Sequence, residues 1–117
     1  MNQPEYRRAP RRKVNGTVLV TDTMTDQVVG QIGNLSETGM LLIASTPLVE
    51  DALYQFRFAL PTPGVADTTV EVGAHLLWWA ETHADDQWWA GFRFIGIGSD
   101  QLAKLLAWLS APGGEYA

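Results

Sequence analysis

The chain has 117 residues, of which 46% are apolar and 18% charged, the proportions of one ordinary globular domain and not of a disordered chain. It contains no cysteine, which excludes disulfides, iron–sulfur ligation, thiolate nucleophiles and cysteine-based zinc sites. The formal charge is −5, an acidic balance that argues against a protein whose whole body binds DNA or RNA.

The first feature in chain order is a basic arm. Arg7, Arg8, Arg11, Arg12 and Lys13 are five of the eight basic residues, leaving Arg57, Arg93 and Lys104 against twelve acidic residues from Val14 onward. Four of the five are guanidinium groups, planar forks suited to phosphate and to the O6/N7 edge of guanine. The arm also has a plain reading, as a solvated leader or one lying against its own acidic surface. Its arginines form two overlapping pairs with four-residue spacing, Arg7 with Arg11 and Arg8 with Arg12. Pro10 biases Ala9 toward an extended backbone, in which residues four apart share a side at about 13 Å and can grip opposite sides of a compact ligand.

Thr17 to Thr21 is β-branched and strand-like, Asp22 to Asp26 supplies a turn, and a second strand follows at Gln27 to Gly33. The polar stretch Asn34-Leu35-Ser36-Glu37-Thr38-Gly39 then leads into the apolar run Met40 to Ile43. Tyr54, Phe56, Phe58 and Leu60 alternate with Gln55, Arg57 and Ala59, and Pro61 and Pro63 end that strand. Val70, Val72, Ala74, Leu76 and Trp78 fall at period two within Thr69 to Ala80, as do Trp88, Ala90, Phe92 and Phe94 within Gln87 to Ile97. The polar loop from Glu81 to Asp86 joins these two as a hairpin. Ser99 is the expected N-cap of a helix whose stripe is Leu102, Leu105, Leu106 and Leu109, ending before Pro112-Gly113-Gly114. Six short strands with glycine and proline turns, followed by one helix, predict a mainly β, antiparallel barrel or strongly curved sandwich.

Within the polar stretch, Asn34-x-Ser36-x-x-Gly39 offers an amide, a hydroxyl and a glycine that permits positive φ or close backbone approach. It reads equally as a turn whose side chains satisfy their own backbone. With the arginines before it, in this order and separation, the chain resembles the PilZ domain family, whose signature is Arg-x-x-x-Arg followed by Asp/Asn-x-Ser-x-x-Gly. The resemblance extends to the late Trp-rich strand and to Ala90-Gly91-Phe92-Arg93-Phe94-Ile95, similar to that family's Gly-x-x-Phe pattern, and covers nearly the whole chain.

This resemblance implies a six-stranded antiparallel barrel with one C-terminal helix, binding the bacterial second messenger cyclic di-GMP as a ligand, without cofactor or metal and without catalysis. It implies a flexible arm over residues 1–13, a body over 14–111 and a tail over 112–117. Carried over by position, Arg7 and Arg11, or Arg8 and Arg12, would clamp phosphates and guanine edges, with Pro10 favouring the first pair. Asn34 would bond a guanine, Ser36 would bond ligand or fix the turn, and Gly39 would let the loop close. Such a receptor would relay its state to a protein of motility, pilus or polysaccharide machinery. The competing reading is an adaptor of the same fold that acts without nucleotide.

His75 and His83 lack metal-ligand spacing, and Ser36 has no histidine near it in sequence. The pairs Trp78-Trp79 and Trp88-Trp89 suggest stacking platforms for bases, but neighbours point to opposite faces, so at most one of each enters the core and the other is left exposed, to fill an interface or to line the ligand site. No apolar run reaches the roughly 20 residues of a membrane-spanning helix and no secretory signal follows the basic cluster, so a cytoplasmic protein without membrane insertion is expected.

Overall fold

A computed structural model describes residues 10–116. In chain order the elements are β1 (Arg12–Lys13), β2 (Leu19–Asp22), β3 (Gln27–Leu35), β4 (Gly39–Ala44), β5 (Leu53–Leu60), β6 (Thr68–Glu81), β7 (Trp88–Gly96) and α1 (Ser99–Leu109). Strands β2 to β7 pair in the order β3-β2-β5-β6-β7-β4, and β4 returns to β3, so six antiparallel strands close a barrel. The short β1 is added outside this circuit, against the end of β3, with Arg12 opposite Leu35 and Lys13 opposite Asn34.

The alternation read in the sequence is the mechanism of closure. Val20, Leu42, Phe56, Phe58, Val72 and Leu76 point inward and are each at most 2% exposed. Near the centre the ring of Phe56 stacks on Tyr54 at 5.4 Å and meets Phe92 edge-on at 5.0 Å, geometries that add to the burial term. The Tyr54 hydroxyl accepts the Val49 N–H at 2.8 Å, so the one polar atom of the trio is satisfied.

Strands β3, β6 and β7 depart from strict alternation, and two of the irregularities shape the outer wall. The register of β3 against β4 shifts between Ile32 and Asn34, and that of β6 against β7 shifts between Leu76 and Trp78, leaving Gly33 and Leu77 as the extra residues of two bulges. An extra residue exchanges the faces of everything after it. Ile32 and Leu35 are therefore both interior although three apart, and Asn34 is turned out. In β6 the period-two expectation that placed Trp78 with Leu76 fails for the same reason: Leu76 is fully buried and Trp78 is 48% exposed.

The helix differs from its sequence reading at both ends of the argument. Its N-cap is Gly98 and not Ser99, with no side chain capping it. Leu105 and Trp108 are its buried residues, whereas Leu106 is exposed, so the apolar stripe runs through Trp108. The Trp108 indole N–H donates to the Pro61 carbonyl at 3.1 Å and Lys104 donates to the Thr69 carbonyl at 3.4 Å, fixing α1 against the turn from β5 into β6. Leu105→Ala should lower the free energy of unfolding by about 2–5 kcal/mol, while Leu106→Ala should stay within roughly 0.5 kcal/mol of wild type, as read by denaturant unfolding.

Candidate ligand cleft

Beside the end of β3, a cleft of about 450 Å3 opens on the outer wall of the barrel. That volume lies within the roughly 300–1,000 Å3 usual for small-molecule sites. Arg11 and Asn34 supply its polar wall together with Thr38, and Leu41, Leu77 and Trp78 supply the apolar one. The Arg11 guanidinium donates to the Asn34 Oδ1 at 3.0 Å, across the junction where β1 meets β3.

Each wall owes its position to a bulge. The extra residue at Gly33 turns Asn34 outward, and the extra residue at Leu77 turns Trp78 outward. Trp78 then lies over Gly91, its cross-strand partner, and a Cβ at position 91 would collide with the indole. Glycine is required there for the close approach of the ring, not for an unusual φ.

Ser36 and Gly39 stand behind the cleft. Ser36 is 1% exposed, and its hydroxyl accepts the N–H groups of Thr38 at 3.2 Å and Gly39 at 3.1 Å while donating toward the Gly39 carbonyl at 3.3 Å. The Ser36 N–H also donates to the Gly39 carbonyl at 2.9 Å, so one serine closes the β3–β4 turn from both backbone and side chain. Gly39 pairs with Arg93 of β7, and a Cβ there would run into the Phe92 carbonyl oxygen. These two residues hold the loop that carries Thr38 to the cleft.

Arg12 takes a different course from Arg11. Adjacent residues of an extended chain diverge, and the Arg12 guanidinium lies over the Trp108 ring at 4.2 Å from its centroid, donating to the carbonyls of Trp108 and, at 3.3 Å, of Ala111. The last turn of α1 contains no basic residue of its own, so Arg12 supplies the cation that its exposed carbonyls favour. Lys13 N–H donates to the Glu115 carbonyl at 2.7 Å, and Arg12 bridges to Tyr116. The last residues of the expected 1–13 arm are thus strand-paired and tied to the 112–117 tail. Arg7 and Arg8 lie outside the described residues.

The structure accordingly brings Arg11 and Asn34 together in the cleft, places Ser36 and Gly39 in its support, and engages Arg12 at the helix. Thr38, Leu41 and Leu77 had not been singled out from the sequence, and of the four paired tryptophans it is Trp78 that lines the cleft. The pairing of Gly91 with Trp78 that marks this wall depends on the bulge at Leu77, which strand periodicity does not reveal. Among the described residues no group of three or more His, Asp or Glu side chains is arranged to hold a metal, and His75 is instead bonded to Asp51 at 2.5 Å.

A family model for the PilZ domain matches residues 5–111. The chain belongs to the PilZ domain family. Two solved structures share its fold. An inhibitor of motility from Bacillus subtilis (MotI/DgrA) superposes with a TM-score of 0.70 at 14% identity, over 87% of this chain and 48% of that one. This PilZ chain therefore spans about half the length of the Bacillus protein. The PilZ domain of YcgR from Escherichia coli, described with c-di-GMP, superposes with a TM-score of 0.62 at 16% identity, over 86% of each chain. No curated protein sequence matches the chain. No described helix is long and apolar enough to cross a membrane.

The Ser36 hydroxyl organises the turn, so Ser36→Ala should cost about 1–3 kcal/mol through the acceptor lost to the buried Gly39 N–H. Gly39→Ala, which must displace the β7 backbone, should unfold at lower denaturant still. Denaturant unfolding of the two variants beside wild type checks the order.

Proposed function

We propose that this PilZ domain is a cytoplasmic receptor for cyclic di-GMP, binding it in the cleft between Arg11 and Trp78 and passing its occupancy to a protein partner. The observation that carries the reading is the meeting of Arg11 and Asn34 across the β1–β3 junction: the two signature segments, distant in sequence, share one cleft. The E. coli relative described with c-di-GMP gives the same fold a ligand of this kind.

The chemistry of the cleft suits a compact dianion carrying purines. Arg11 is a fork for a phosphate or for guanine O6 and N7. Asn34 offers an amide oxygen to guanine N1–H and N2–H2 and an amide nitrogen to its acceptors. Trp78 presents an indole, half of it exposed, on which a base can stack. Ligand entry would replace contacts that Arg11 already makes, the bond to Asn34 among them, with bonds to phosphate and base. Arg7, in register with Arg11, is assigned to a second phosphate, and Arg8 to the same arm. Arg12, already engaged by α1, acts in the relay: β1 joins the residue that meets ligand to the residue that holds the end of the helix.

No reaction is proposed, and neither DNA nor RNA is a partner, because the acidic body repels a long polyanion while tolerating a small one held at the arm. We assign the protein partner to motility, pilus or polysaccharide machinery; the similar Bacillus protein is itself an inhibitor of motility, which supports the first.

Titration calorimetry with cyclic di-GMP, GTP and a short RNA tests the reading. Wild type should bind the cyclic dinucleotide and neither of the others comparably, with affinity falling as salt is added. Arg11→Ala and Asn34→Ala should each weaken binding by about tenfold or more. Arg12→Ala should lower thermal stability while changing affinity by less than about threefold. Wild-type binding no tighter than that of the Arg7/Arg8/Arg11/Arg12 alanine variant would overturn the proposal.

A further inference from the structure

At the opposite end of β6 from the helix contact, the β6–β7 hairpin overhangs the barrel. The ladder of β5 with β6 ends at Leu53 opposite His75, whereas β6 continues to Glu81 against β7 alone. Among the described residues no strand pairs with the other side of Leu77 to Glu81. An edge of this kind presents unpaired N–H and C=O groups along roughly 14 Å of chain and is a template for another strand.

Edges are ordinarily protected by lysine, proline or a covering loop. Residues 77–81 contain neither lysine nor proline, and among the described residues no strand covers this edge. Leu77, Trp78, Trp79 and Trp89 are each exposed by 37% or more, with Trp78 and Trp89 on one face of the hairpin and Trp79 on the other. Trp79 meets Trp88 edge-on at 6.4 Å, so the aromatic surface is braced within the hairpin. Clustered exposed tryptophans rimmed by polar residues mark contact surfaces.

The charges around the cluster identify the occupant. Glu81, Asp85 and Asp86 are exposed on the hairpin, and no lysine or arginine occurs from Leu77 to Phe92. A second copy pairing edge to edge about a two-fold axis would set Glu81 against Leu77 of the other copy and bring no lysine or arginine to the acids. An anionic lipid surface would be repelled by them. A lysine- or arginine-bearing extended segment pairs with the acids, and its cations can lie over the tryptophan faces. We propose that the Leu77–Glu81 edge of β6 is a docking site for a basic, extended segment of a partner protein, which adds to the barrel wall as a further strand.

Leu77 and Trp78 also line the cleft whereas Trp79 does not, so the test uses the nucleotide-free protein and a variant at Trp79. The probe is a synthetic peptide of about eight residues alternating lysine with valine, beside a glutamate-for-lysine version and one with proline at alternate positions. Calorimetry and amide hydrogen exchange are the readouts. The lysine peptide should bind and slow exchange within residues 77–81 by about tenfold or more. The glutamate peptide should bind at least about tenfold more weakly, and the proline peptide should give no such protection. Trp79→Ala should weaken the lysine peptide while leaving cyclic di-GMP affinity unchanged. Absence of binding, binding that leaves residues 77–81 unprotected, or protection that rises with protein concentration alone, which would signify a second copy, would each overturn the proposal.

Discussion

The barrel closes on β3, and most of what is specific to this molecule follows from that strand's pairings. It receives β2 along its first half, β4 along its second and β1 beyond the end of β2. A strand obliged to serve three neighbours cannot keep one register, and the break at Gly33 is where the obligation shows. Because the break falls one residue before Asn34, the strand's last polar side chain faces the entering N-terminal segment and not the core. The cleft is in this sense a by-product of closure: the same irregularity that lets the sheet turn back on itself delivers an amide to the place where Arg11 arrives.

Much of the scaffold was legible in the sequence because its physics is local. The alternation of Tyr54 to Leu60 and of Trp88 to Phe94, and the prolines after Leu60, needed no knowledge of neighbours. The pairing of the arginine arm with the Asn34–Gly39 segment was legible as a resemblance, and the structure supplies the geometry for Arg11 and Asn34. The phase changes at Gly33 and Leu77 were not legible. A bulge is imposed by the demands of the partner strand, and neither an isolated glycine in one strand nor a leucine in the other announces it. The helix stripe was misjudged at one position for a related reason: Leu106 and Trp108 both fit an apolar face, and only the Pro61 carbonyl decides for the tryptophan.

Electrostatics divides along the same lines as packing. The acidic body leaves few cations, and four of the described ones have definite partners: Arg57 lies 3.8 Å from Asp26, Lys104 on the Thr69 carbonyl, Arg12 on the end of α1, Arg11 on Asn34. Sequence neighbours 11 and 12 thus serve unrelated ends of the molecule. Composition alone treats the arginines of the arm as interchangeable; the extended backbone at β1 separates them by direction.

The bond between Lys13 and Glu115, and the grip of Arg12 on Trp108, have a consequence for how the protein is made. These partners follow every strand of the barrel wall in the sequence, whereas Asn34 and Leu35, which β1 also meets, lie in the third strand. The pairing of β1 with β3 can therefore form before the helix exists, and the clasp of Arg12 and Lys13 on the far end of the chain closes only once α1 and the residues after it have been made.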